Sequence, residues 1–186
     1  MTSILKADNI QDADGNNIIN ESSNTITIGA SGDTITIPSG ATISNSGTAT
    51  GFGKILQVVS TANTSAITGN NTSFADSGFS VTITPSATSS KILILTQIAA
   101  FNDTTATSMY YSIYRGTTNL GDSSTGFVRT YNGGSNLGSS VAMNFLDSPS
   151  TTSATEYSVY VKVAAGIGYI SVNGATSTIT ALEIEA

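Results

Sequence analysis

Few residues in this sequence could act on a substrate. Hydrolysis of a glycosidic bond needs two carboxylates held across it. Glu183 and Glu185 stand two residues apart on the last expected strand and so share a face, but they lie where solvated charges are ordinary. Asp76, Asp103, Asp122 and Asp147 each fall in an expected loop beside Gly, Ser or Asn, the usual place for a turn-forming Asp. The chain has no Cys, His or Trp. Disulfides, thiolate chemistry, Cys/His zinc sites and any triad built on imidazole are therefore excluded. The spacing Asp12-x-Asp14-Gly15-Asn16 hints at a calcium loop, but no ligand Glu follows at the right distance. Gly133-Gly134-Ser135 lacks the Gly-Lys-Ser/Thr that completes a phosphate loop. The sequence predicts no enzyme, no catalytic residue, no metal site and no cofactor.

One segment could bind. Residues 115–140 combine Arg115, Asp122, Arg129, Tyr131, Asn132 and Asn136 with several glycines. A sugar offers an apolar ring face and a rim of hydroxyls. A flat aromatic ring, planar amides and an Arg suit both. Arg129, Tyr131 and Asn132 are thus candidate receptor-binding residues for a cell-surface glycan. The bland alternative is a long surface loop with one buried Tyr.

Composition says what must position these residues. Charged residues are only 10% of the 186 and hydrophobic ones 39%, with a formal charge of -6. Disorder pairs low hydrophobicity with high net charge, and that pairing is missing. The six cations, Lys6, Lys54, Lys91, Arg115, Arg129 and Lys162, are scattered. No basic stripe exists for nucleic acid or an anionic membrane surface. No apolar run reaches the roughly 18 residues of a spanning helix, so membrane insertion is not expected. Met1 to Asn9 lacks the basic and apolar regions of a signal peptide, which predicts synthesis in a cytoplasm without secretion.

The elements read as all-β, in two parts. In residues 1–53, Asp14-Gly15 sits between Asn9-Ile10 and Ile18-Ile19 and predicts a type I′ hairpin turn. Thr25-Ile-Thr-Ile28 recurs as Thr34-Ile-Thr-Ile37, with a weaker third element from Ala41 to Ile43. Alternation puts Ile26, Ile28, Ile35 and Ile37 on apolar faces. Strands so short cannot bury them alone, so other copies of the chain are expected to complete a β-repeat stalk around these four. Ser44 to Gly53 reads as a joint.

Residues 54–186 read as one β domain. Expected strands are 54–60, 78–84, 91–101, 108–115, 141–146, 156–164, 168–172 and 178–183, with a short one near 127–131. Phe79, Val81 and Ile83 share a face, as do Tyr157, Val159, Val161 and Val163. Ile92-Leu93-Ile94-Leu95 does not alternate, which predicts cover on both faces: core on one, a neighbouring subunit on the other. About eight short strands with turns between them predict an antiparallel β-sandwich or jelly roll.

The lead Ile4-Leu5-Lys6-Ala7-Asp8-Asn9-Ile10-Gln11-Asp12, Asp14 to Ile19 and the Thr-Ile-Thr-Ile repeats resemble the start of tail-fibre-type and other virion proteins of marine bacteriophages. Residues 54–186 resemble the trimeric jelly-roll heads of phage fibres, and more distantly heads of the C1q and tumour-necrosis-factor type. Thr84 to Ile94 and Ile179 to Ile184 carry that likeness. The resemblance implies a homotrimer on the outside of a phage particle. An N-terminal anchor would meet other virion proteins, followed by a stalk and a jelly-roll head. Two roles stay open: a tail fibre that attaches to the host surface, or a capsid decoration protein or head fibre that stabilises the shell.

Overall fold

A computed structural model describes residues 9–11, 17–23, 25–29, 32–42, 44 and 55–185. The chain divides into two compact units, Met1–Thr50 and Gly51–Ala186. The Asp14-Gly15 turn, Ile43 and all of the expected joint except Ser44 lie outside the described residues.

The described part of the first unit is a single antiparallel layer of three strands, β1 (Asn9–Gln11), β2 (Asn17–Ser22) and β3 (Thr25–Ile28), in that order. Thr and Ile favour strands because their branched side chains fit a pleated surface. The register aligns Ile10 with Ile19 and Ile19 with Ile28. Ile26 shares that face, two residues from Ile28. Ile26 is 68% and Ile28 56% exposed. The second Thr-Ile-Thr-Ile departs from expectation. Residues 33–38 form no strand, and Ala41 N–H donates to the Pro38 carbonyl at 3.1 Å to close a turn. A strand needs a neighbour's row of N–H and C=O groups, and the described residues supply none beside Ile35 and Ile37.

The second unit stacks two antiparallel sheets. The first contains β4 (Ile55–Asn63), β14 (Ser177–Ile184), β7 (Lys91–Asn102) and β11 (Leu137–Asp147), side by side in that order. Two short strands, β13 (Gly168–Ile170) and β5 (Ile67–Gly69), continue beside the end of β7. The second sheet runs β6 (Ala75–Ile83), β12 (Thr155–Val163), β8 (Thr107–Arg115), β10 (Val128–Asn132), with β9 (Thr118–Asn119) paired to β8. Of the eight long strands, successive ones fall in opposite sheets except β8 and β10, which are neighbours in the second, the order of a jelly roll. β5 and β9 were not expected, being too short to show a period. The other expected strands are all present, with ends shifted by a few residues.

Alternation places one face of each sheet inward. Phe79, Val81, Ile83, Ile113, Tyr157 and Val159 from the second sheet meet Ile92, Ile94, Ile98, Met143 and Ile179 from the first, all buried. Each large side chain buried this way contributes about 1.5–3 kcal/mol. The second face of β7 is not covered by the described residues of this unit: Ile92 and Ile94 are buried, Leu95 is exposed and Leu93 half-buried. A bulge at Ser77–Gly78 shifts the register of β6 on β12, so that Phe79 opposes Val159 but Asp76 opposes Tyr160. Gly78, at φ +73°, supplies the left-handed residue it needs.

Candidate functional site

Most described carboxylates hold the fold together. Asp147 ends β11 rather than lying in a loop, and it is buried. Arg115 Nη1 reaches its two oxygens at 2.9 and 2.7 Å, and the Tyr157 hydroxyl donates to it at 2.7 Å. Arg115 and Tyr157 belong to one sheet and Asp147 to the other, so the cluster ties the sheets together. Burial and the bond to Asp147 push the Tyr157 hydroxyl far above its ordinary pKa.

Glu183 is also buried, contrary to the expected solvated charge; Glu185, beyond the strand, is exposed. The Glu183 carboxylate accepts from Gln57 Nε2, Ser86 N and Ser86 Oγ, each at 2.6 Å. Burial alone would raise its pKa, but the donors outweigh burial and hold it down to about 2. Asp122 accepts from Ser124 N, Thr125 N and Thr125 Oγ1, as a turn-forming Asp does. Asp103 accepts from the Tyr169 hydroxyl, Asp76 from Gly78 N and Glu156 from Ser80 Oγ. Among the described residues, no three of His, Cys, Asp and Glu converge as metal ligands.

The outer face of the first sheet carries one apolar row. The ladders align Val58, Leu182, Leu93 and Leu146 across β4, β14, β7 and β11. At about 4.8 Å between strands, the row crosses the whole sheet. Val58 is 58% and Leu146 47% exposed, and Leu56 and Leu95 flank the row, also exposed. Further along, the face dips into a shallow hollow lined by Gln97, Ala99, Phe101, Gly138, Ser140 and Val172.

The outer face of the second sheet carries aromatic rings with Arg129 and Lys162 toward one end and Asp76 and Glu156 toward the other. The registers put Arg129 beside Tyr110 and Tyr110 beside Lys162 across β10, β8 and β12. Arg129 lies 5.9 Å from the Tyr110 ring centre and 5.6 Å from that of Tyr131. Lys162 Nζ stands 4.6 Å from the Tyr110 centre and 5.0 Å from that of Phe74, and it donates to the Ser124 carbonyl in the Asp122 turn. Tyr114 and Tyr160 stack with centres 3.7 Å apart, beside Phe74.

Arg129 and Tyr131 therefore lie on this face, Tyr131 at 54% exposure. Asn132 does not join them. It is 2% exposed, and its Nδ2 donates to the carbonyls of Asn102 and Thr104, each at 3.0 Å. Strand alternation turns it inward where its neighbour Tyr131 turns out, so it shapes a loop and is closed to a ligand. Sequence reading missed Tyr110, Tyr114, Tyr160 and Phe74 as parts of the site. The available signal was Tyr110 and Tyr114 at a spacing of four on one strand, with Tyr160 and Lys162 at a spacing of two on another.

No family model matches the chain, and no curated protein matches it. Among solved structures it is similar to the VP2 subviral particle of infectious bursal disease virus, at 12% identity and a TM-score of 0.39. That match covers 70% of this chain and 38% of that one. It is also similar to T=1 particles derived from that virus, at 10% identity and a TM-score of 0.37, over 70% of this chain and 36% of that one. The chain spans well under half the length of the chains it matches.

Proposed function

We propose that this chain is a non-enzymatic structural protein of the outside of a phage particle, tail-fibre-like and homotrimeric, that mediates attachment to the host surface. The carrying observation is the row Val58–Leu182–Leu93–Leu146, an apolar row across four strands that the described residues of the second unit leave uncovered. Exposed apolar patches of this kind mark interaction sites. The first unit repeats the motif, because Ile10, Ile19, Ile26 and Ile28 share a bare face. A sister chain satisfies both, with Ile26, Ile28, Ile35 and Ile37 meeting their counterparts in a stalk. The resemblance of the first 53 residues to phage virion proteins supplies the setting. The employment of most described carboxylates in hydrogen bonds within the fold favours a role without catalysis.

Native mass measurement of the purified chain tests this. Three copies are expected, and replacing Leu93 and Leu146 with Asn should release monomers whose head remains folded. A monomeric parent chain would overturn it. The same apolar face favours a second reading, in which the occupant is a capsid shell and the protein decorates and stabilises it. Electron microscopy of labelled particles separates the two: label on tails supports attachment, label over the shell supports decoration.

A further inference from the structure

The seven tyrosines of this chain divide into two groups. Tyr111 bonds Thr130, Tyr157 bonds Asp147 and Tyr169 bonds Asp103. Tyr110, Tyr114, Tyr131 and Tyr160 all stand on the outer face of the second sheet. Their hydroxyls have no hydrogen-bond partner among the described residues. A tyrosine with a packed ring and a free hydroxyl is suited to an interface that is apolar on one side and wet on the other.

The cations sort the same way. Of the four cations in the second unit's described part, Arg115 is paired with Asp147. Arg129 and Lys162 flank Tyr110 on the aromatic face, and neither joins a salt bridge among the described residues. Lys91 is the fourth, on the other sheet. Asp122 stands near Lys162, and Asp76 and Glu156 lie beside Tyr160 toward the other end of the face, so the positive charge of this face is confined to its Arg129–Tyr110–Lys162 end.

The geometry points to an acidic polysaccharide as the ligand of this face: pyranose rings carrying carboxylate or sulfate groups. Tyr131 offers an open ring to the apolar face of a sugar. Arg129 presents a planar fork that matches a carboxylate or sulfate in two places. Lys162, held by the Ser124 carbonyl, meets the next acidic group along the chain. The tyrosine hydroxyls exchange hydrogen bonds with the sugar hydroxyls. This rests on the reading that the head faces away from the particle, and it names what that head meets.

The test is titration of the purified full-length protein with alginate (a polyuronate), dextran sulfate and neutral dextran, by calorimetry at two salt concentrations. Binding to at least one acidic polymer is expected, weakened by added salt, with none to dextran. Arg129→Gln and Tyr131→Ala, both at exposed positions, should each weaken it about tenfold with the thermal midpoint unchanged. Failure to bind either acidic polymer, equal binding of dextran, or unchanged affinity in both variants would overturn the inference. The mass of the assembly is read separately, so a loss of oligomer would count against the proposed function and leave this site standing.

Discussion

The two units use the same residues to opposite ends. In the first, Ile26 and Ile28 sit on a three-stranded layer with no second layer among the described residues, and both are exposed. In the second, Ile92 and Ile94 sit on one face of a continuous apolar run and are fully buried. The difference is the second sheet. A strand pattern alone makes a face, and a face becomes a core only when another layer covers it. The second unit repeats both conditions within itself: the inner face of its first sheet is sealed while Leu93 and Leu95 on the outer face remain open. Exposed isoleucine in the first unit and exposed leucine on the second are the faces on which the proposed assembly depends.

The largest expected effect tests the covered side. Ile94→Ala should cost the head about 3–4 kcal/mol, because it removes buried methyl groups and leaves a cavity; denaturant unfolding measures it. A loss below about 1 kcal/mol would erase the contrast with the first unit. Next comes Asp147→Ala, expected to cost about 2–3 kcal/mol by stranding the Tyr157 hydroxyl and Arg115. Arg115→Met with Asp147→Leu should recover part of that loss, since the pair is then replaced by packing.

The Glu183 cluster gives a pH test. Its carboxyl is held down to about 2 in the fold, against an ordinary value near 4.3. The folded state therefore favours the charged form. That contribution is complete above the ordinary value and disappears as pH falls from about 4 toward about 2. The thermal midpoint should drop through this window, and Glu183→Gln should lower it at neutral pH while flattening the acid slope. A parent and variant that fall in parallel would mean the cluster is not the cause.

The smallest effect on the head tests the open side. Ile26→Asn with Ile28→Asn should leave head stability within about 0.5 kcal/mol of the parent, as surface changes do, yet abolish assembly of the first unit. Limited proteolysis of the front end, alongside native mass, would read this. A normal assembly from that variant would show that those isoleucines meet no one.

Strand faces were largely legible in the sequence because alternation is local. Phe79, Val81 and Ile83 could be assigned to the core, and so could Tyr157, Val159, Val161 and Val163. Partners were not legible, since a ladder joins residues far apart in the chain. Thr34-Ile-Thr-Ile37 has the composition of its twin and still forms no strand, because composition does not supply a neighbour. Asp147 looked like a turn residue and Glu183 like a solvated charge because the donors that hold them come from distant parts of the chain. The aromatic face shows the same limit: Arg129 and Tyr131 could be picked from one segment, but Tyr110, Lys162 and Phe74 join them only through antiparallel registers. Asn132 was misplaced by a single step of the pleat.

The pairing of β4 with β14 sets Ile55 opposite Ile184. The head is thus entered and left at one corner. Tension applied between those two residues would load the interstrand hydrogen bonds one rung at a time and unzip the strands at low force. Tension between Ile55 and a ligand held on the far sheet would instead be shared across many rungs and the interleaved side chains. A head gripped by its entrance and the outer face of its second sheet would be mechanically strong, and the same head pulled between Ile55 and Ile184 would come apart like a seam.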